Sequence, residues 1–249
     1  MPCVVLSTAE GLILSETVNH KPQPERLYGR QRGHPLRARQ QRLLEDALPR
    51  LRLTPEQAHD PRAVFGDVSD VWLEIGFGGG EHAFAQSEAN PDVGYIASEV
   101  FENGLCSLMG RLVPEGQEAD IVPPAHFRIW PEDARQLLKS LPDGSLGRVY
   151  LMFPDPWPKS RHAKRRFVHP ANIAEVARVL RPGGVWRIGS DHPVYQEWVQ
   201  DVMGAQDLFE LVDLSQGERP EGWSPTRYEA KAWREGRTPF YWTFVRRGV

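Results

Sequence analysis

The sequence predicts an α/β domain on a mostly parallel sheet with helices on both faces. Three observations predict it. Short apolar runs alternate with helix-period segments between Val71 and Met203, the pattern of strand–helix–strand units. The first run opens into glycines, VWLEIGFGGGEHAFAQ. Carboxylates then stand at successive strand ends, at Glu74, Glu99, Asp133, Asp155 and Asp191. In such sheets a ligand sits beyond the carboxyl ends of the strands, near the point where strand order reverses.

The elements follow in order. Residues 71–75 read as a buried strand, 81–89 as a helix, 94–98 as a second strand and 103–112 as a second helix. A third strand is expected at 127–130, a helix at 134–141 and a fourth strand at 148–153. The helix at 170–180 is closed by Arg181-Pro182-Gly183-Gly184, a stop signal of the expected chemistry. Residues 185–189 make a fifth strand, 194–203 a helix, and 209–213 and 240–246 two late strands, seven in all. No internal repeat or low-complexity tract interrupts them.

The N-terminal part has another character. Residues 1–35 look irregular, and Arg26, Arg30, Arg32, Arg37, Arg39, Arg42, Arg50 and Arg52 crowd one segment. Within it 37–48 can form a helix with Leu43, Leu44, Ala47 and Leu48 on its apolar side. Two readings stay open, a solvated arm and an arm that orders on a polyanion. Residues 54–70 look like a linker. The expected division is a basic, partly flexible N-terminal extension over 1–54 and the α/β domain over 55–249.

Bulk composition narrows the function. The chain has 249 residues, 40% hydrophobic and 25% charged, with a net charge of −3; that is ordinary for a soluble domain, so any nucleic-acid site must be a local basic patch. Cys3 and Cys106 cannot build a disulfide framework or a zinc site, and the histidines show no metal-binding spacing. No metal is expected. No run reaches the ~18 apolar residues of a membrane span. The start, MPCVVLSTAEGLIL, lacks the basic region of an export signal, so a cytoplasmic protein without a membrane partner is expected. Oligomeric state stays open between monomer and homodimer.

Gly76, Gly78, Gly79 and Gly80 let the backbone turn sharply and approach a ligand. Glu99, at the end of the second strand, is placed to accept both hydroxyls of an adenosine ribose. A dinucleotide fingerprint runs G-x-G-x-x-G, whereas here the glycines run G-x-G-G-G. Glu74, an anion just before the loop, suits a cationic ligand better than a pyrophosphate. S-adenosylmethionine, with its sulfonium and ammonium, fits better. Asp133 can accept from the adenine amine, cap the helix after it, or do both.

The stretch FPDPWPKSRHAKRR, from Phe153 to Arg166, follows the fourth strand. Three prolines stiffen it, holding Asp155 in one place, and Trp157 offers a flat face for a base. Lys159, Arg161, Lys164, Arg165 and Arg166 follow as candidate contacts to an RNA backbone.

This stretch resembles the signature loop of the bacterial tRNA (guanine-N7-)-methyltransferases, the TrmB family, and the resemblance extends from about Gln31 to about Trp233. It implies a Rossmann-like class I methyltransferase that methylates N7 of a guanine in the tRNA variable loop, position 46. It further implies that Glu74, Gly76, Gly78, Glu99, Asp133 and Asp155 bind S-adenosylmethionine, and that Asp155 is the catalytic acid. Lys159, Asp191, Thr226, Arg227, Tyr228 and Glu229 match substrate-contacting positions, with Arg227 standing where the family usually has lysine. Guanine N7 carries a lone pair and no proton, so no general base is required, and positioning dominates. Asp155 is expected to orient the base and favour its developing positive charge. Asp191 and Glu229 are expected to accept from the guanine N1 and N2 hydrogens. Rival readings are a methyltransferase for a small molecule or protein, a nicotinamide-dependent dehydrogenase and a non-catalytic RNA-binding protein. The first would not need two basic segments, and the second is disfavoured by the glycine spacing and Glu74. The third would have no use for Glu74 and Glu99.

Overall fold

β1 (Asp70–Ile75) is buried on both faces, and the sheet extends from it in both directions. The computed structural model describes residues 27–248; of the irregular stretch expected over 1–35, the part up to residue 26, with Cys3 and Arg26, lies outside the described residues. β2 (Val93–Ser98) and β3 (Phe127–Trp130) lie on one side of β1, and β4 (Leu146–Met152) and β5 (Leu180–Ser190) on the other, all parallel. β6 (Phe209–Gln216) and β7 (Phe240–Arg246) complete the sheet in the order β3-β2-β1-β4-β5-β7-β6, with β7 antiparallel to both its neighbours. Strand order therefore reverses between β1 and β4, where the sequence pattern places the ligand.

Alternation along β1 builds the two cores. Val71, Leu73 and Ile75 face one layer, with Val149, Leu151, Trp186 and Ile188. The helices covering that face are α7 (Ala134–Ser140), α8 (Pro170–Val179) and α9 (Pro193–Gly204), through Leu137, Ile173, Val176, Tyr195 and Val199. Trp72 faces the other layer with Tyr95, Phe127, Ile129 and Tyr150. There the cover is α5 (Glu81–Ala89) and α6 (Glu102–Leu112), joined by the N-terminal helical segment. Full burial of one such aliphatic or aromatic side chain contributes about 1.5–3 kcal/mol, so both layers are needed to hold the sheet.

The N-terminal segment runs through α1 (Ala38–Arg42), a π-type turn over Leu43–Ala47 and α2 (Leu48–Leu51). Leu43, Ala47 and Leu51 recur four residues apart and are fully buried, the spacing that keeps one helical face inward. Leu53 N–H donates to the Ile129 carbonyl at 2.8 Å, extending β3 outward. Arg39 and Arg42 meet buried Glu118 at 3.1 and 3.4 Å. The Cys106 thiol, on α6, lies 3.5 Å from the Gln40 carbonyl, and burial pushes its pKa up to about 11.

Differences from the sequence reading are local. The stretch read as a linker holds α3 (Pro55–Ala58) and α4 (Pro61–Phe65). Thr54 and Gln57 form a capping box on α3, and Asp60 caps α4; the signal is Thr-Pro-Glu-Gln. Leu180 leaves α8 and pairs with Leu146, so β5 begins before the glycines, which form an excursion between that pair and Arg148↔Val185. α10 (Arg227–Arg234) was not expected as a helix.

Candidate active site

A cavity of about 420 Å³ opens at the carboxyl ends of β1, β2 and β4. Gly76 and Gly78 line it with φ of 70° and 60°, left-handed conformations that glycine adopts without steric cost. The Gly78 N–H donates to Glu99 at 2.8 Å, and Val100 and Phe101 N–H groups donate to the other Glu99 oxygen at 2.7 and 3.0 Å. Burial pushes the Glu99 pKa up; these donors pull it down, Asp155 opposes them, and the outcome is upward. Glu99 is thus fixed at the cavity wall with an unfavourable charge that a cationic or hydroxyl-bearing ligand would relieve.

Asp133 also lines the cavity. It caps α7, accepting the Arg135 N–H at 2.9 Å, and pairs with the Arg135 guanidinium at 2.6 Å. Asp155 lines the same cavity, and the protein around it pushes its pKa up by desolvation. The residue as a whole is exposed, so solvent tempers that push.

The loop carrying Asp155 is under backbone strain. Among the described residues the only non-glycine positive φ values are Phe153 at 51° and Trp157 at 43°, on either side of Pro154-Asp155-Pro156. Such residues cost of order 1–3 kcal/mol each and persist only where surrounding structure fixes them. Phe153 N–H is tied to the Gly189 carbonyl at 2.8 Å. The Arg165 guanidinium lies 4.8 Å over the Trp157 ring and 4.4 Å over that of Tyr28. One indole face is therefore already covered by a cation.

Other expected site residues are placed differently. Glu74 does not line the cavity; it is buried and bonded at 2.7 Å to both His82 Nδ1 and the Tyr95 hydroxyl. Strand alternation turns it to the opposite face from Ile75, which does line the cavity. Thr226 caps α10 by accepting the Glu229 N–H at 3.0 Å. Glu229 is buried, paired with Arg219 at 2.7 Å and hydrogen-bonded by Tyr241, so its carboxylate is held away from solvent. Asp191 is paired with Arg237 at 2.7 Å. Tyr228 is the member of that motif that reaches the cavity, close against Gly78, while Arg227 lies beside Gly79 and 3.7 Å from Glu81. Lys159 and Arg161 are exposed, and Lys164 and Arg165 line the cavity. Arg166 is buried and donates to loop carbonyls. Unlike Lys159 and Arg161, it is directed into the loop rather than toward solvent.

Sequence reasoning missed part of the wall. Leu27, Tyr28, Gly29 and Arg30 close one side of the cavity, with Arg30 over the Phe101 ring at 5.6 Å. No residue pattern in that segment announces a cavity wall. Asn172, which also lines the cavity and donates to the Phe167 carbonyl at 2.8 Å, was read only as part of a helix. Among the described residues there is no group of three or more His, Cys, Asp and Glu suited to a metal ion, and no helix is long and apolar enough to cross a membrane.

The family model described as "Putative methyltransferase" matches residues 69–241. A tRNA (guanine-N(7)-)-methyltransferase of Granulibacter bethesdensis is 64% identical over 228 residues, covering 91% of this chain and 97% of that one. Proteins of the same name from Rhodospirillum rubrum and Paramagnetospirillum magneticum are 46% and 43% identical. The first pairing covers 89% of this chain and 88% of the relative, the second 94% and 98%. Among solved structures, an antibiotic-related methyltransferase has a TM-score of 0.55 at 12% identity, covering 78% of this chain and 94% of that one. The 16S rRNA methyltransferase KamB has a TM-score of 0.54 at 16% identity, covering 76% and 93%. These two likenesses show the Rossmann-like methyltransferase fold.

Proposed function

The chain belongs to the family of the tRNA (guanine-N(7)-)-methyltransferases, and from that membership we propose how its site works. The enzyme transfers a methyl group from S-adenosylmethionine to N7 of a guanine in tRNA, and the guanine is the one in the variable loop, position 46. The observation that carries the reading is Asp155, on a strained loop at the mouth of a cavity whose wall also holds Glu99 and Asp133. The cavity's size lies within the usual range for small-molecule sites, and its carboxylates and close glycine backbone suit a cationic adenosine derivative.

In this reading Glu99 accepts the ribose hydroxyls and Asp133 the adenine amine, while Gly76 and Gly78 allow the backbone to approach closely. Glu74 acts indirectly, bracing α5 behind the glycine loop through His82. When bound, S-adenosylmethionine supplies an electrophilic methyl group that the N7 lone pair accepts without prior removal of a proton. Asp155 would orient the guanine for in-line attack and favour the positive charge that appears on the purine as the sulfur–methyl bond breaks. Tyr228 borders the base, and Thr226 and Glu229 position the helix that carries it. Asp191, released from Arg237, and Lys159 and Arg227 contact the substrate. Arg161, Lys164 and Arg165 follow the RNA backbone.

The test uses labelled S-adenosylmethionine and tRNA lacking 7-methylguanosine, with the label mapped by chain cleavage at the modified base. Label at one variable-loop guanine is expected. Transfer to another position overturns the site assignment.

A further inference from the structure

We propose that Arg166 is a positioning residue for methyl transfer, holding Asp155 in place through the carbonyls of Pro156 and Trp157. The inference rests on the reading of Asp155 as the group that orients the guanine. Arg166 is the last of the basic run and is 4% exposed, whereas Lys159 and Arg161 are exposed. Its Nε donates to the Pro156 carbonyl at 3.1 Å, and a terminal nitrogen donates to the Trp157 carbonyl at 3.0 Å. The guanidinium lies 4.7 Å over the half-buried Trp198 ring of α9, so one face of the fork is seated against that helix.

The two carbonyls belong to consecutive residues, and the second of those residues is strained. Hydrogen bonds to both fix the Pro156–Trp157 and Trp157–Pro158 peptide planes, which begin one residue beyond Asp155. Phe153 N–H on Gly189 fixes the other side. Asp155 is thus suspended between an anchor on β5 and an anchor on α9. A lysine at position 166 would keep the positive charge but lose the planar fork that matches two acceptors. A phosphate contact would tolerate that exchange, because a lysine binds phosphate as a point charge.

The experiment measures steady-state methylation of unmodified tRNA, and tRNA binding across a salt series, for the wild type, Arg166→Lys and Arg166→Gln. Expected for Arg166→Lys is a loss of about 10–100-fold in kcat, the scale of a small misplacement at a reacting centre. The KM for tRNA and the slope of binding against salt should stay unchanged in both variants. Wild-type kcat in Arg166→Lys overturns the proposal. So does an Arg166→Gln variant with intact kcat and a salt slope shallower by about 0.7–0.9, the signature of one lost phosphate contact. Should Arg166→Lys fail to fold, Trp198→Leu removes the ring that seats the fork; the same kcat loss is expected, and intact kcat overturns the proposal. Failure of the underlying reading is separate: it appears as full turnover in Asp155→Asn, whatever Arg166 does.

Discussion

Asp155 and Glu118 are carboxylates perturbed in opposite directions, and the signs give separate expectations. Burial raises the Asp155 pKa, so the folded protein keeps that proton to higher pH than the unfolded chain. The associated stability is present below the unfolded carboxylate pKa and is lost as pH rises through the folded value. At neutral pH the ionised carboxylate is a net cost to the free protein. Asp155→Asn should therefore lose about 10²–10³-fold in kcat, on the scale of one removed electrostatic contact, and melt no lower than the wild type at pH 7. A thermal melt beside the kinetic assay checks both halves, and a clearly lower melting temperature would mean that the carboxylate is structural. Glu118 is lowered: burial pushes it up, but the Arg39 hydrogen bond, backbone donors and Arg42 together outweigh that push. Its contribution is present above the unfolded carboxylate pKa and lost as pH falls through the folded value. Glu118→Gln should be less stable than the wild type at neutral pH, with the gap closing on acidification. A gap independent of pH would disprove the charge-based explanation.

The glycine loop and α6 are coupled elements. Gly104 lies outside the cavity wall, in the first turn of α6, and alanine is ordinarily the better helix former. Yet a Cβ there would collide with the Gly78 carbonyl oxygen and touch Glu99. Gly104→Ala should thus weaken S-adenosylmethionine binding without touching the ligand, and calorimetric titration reads it; unchanged affinity would show that the loop can shift freely. The same region shows what sequence can and cannot reveal. The positions of β1, α5, β2 and β3 were legible within a residue or so, because buried strands and glycine stops leave strong local patterns. The end of α8 was read one residue late and from the glycines, whereas Leu180 itself turns extended ahead of them to pair with Leu146; that pairing was not legible, since it is a property of two distant strands. Asp133, Asp155 and Glu99 were legible as strand-end carboxylates and do share a cavity. Glu74 belonged to the same pattern, but the side of the strand it faces depends on His82 and Tyr95, which a spacing argument cannot orient. Thr226 and Glu229 were chosen by motif, and their roles in capping α10 and bonding Tyr241 emerge only when the helix is folded.

For the molecule as a whole, a net charge of −3 means that affinity for RNA must come from how cations are distributed. Much of the basic N-terminal segment is internally paired: Arg32 with Glu102, Arg39 and Arg42 with Glu118, Arg52 with Glu132. The cations around the Asp155 loop are the better candidates for phosphate. Lys159→Gln combined with Arg161→Gln should make the slope of log affinity against log salt shallower by about 1.4–1.8, at about 0.7–0.9 per contact; filter binding from low to moderate salt measures it, and an unchanged slope would remove both from the interface. The contact between Cys106 and Gln40 has a consequence of another kind. A thiol held protonated by burial is a poor nucleophile, so Cys106 should resist alkylating reagents while the N-terminal helices stay seated on α6. In a Cys3→Ser background, the rate at which iodoacetamide modifies the protein becomes a clock for undocking of that segment, and tRNA that grips it should slow the clock.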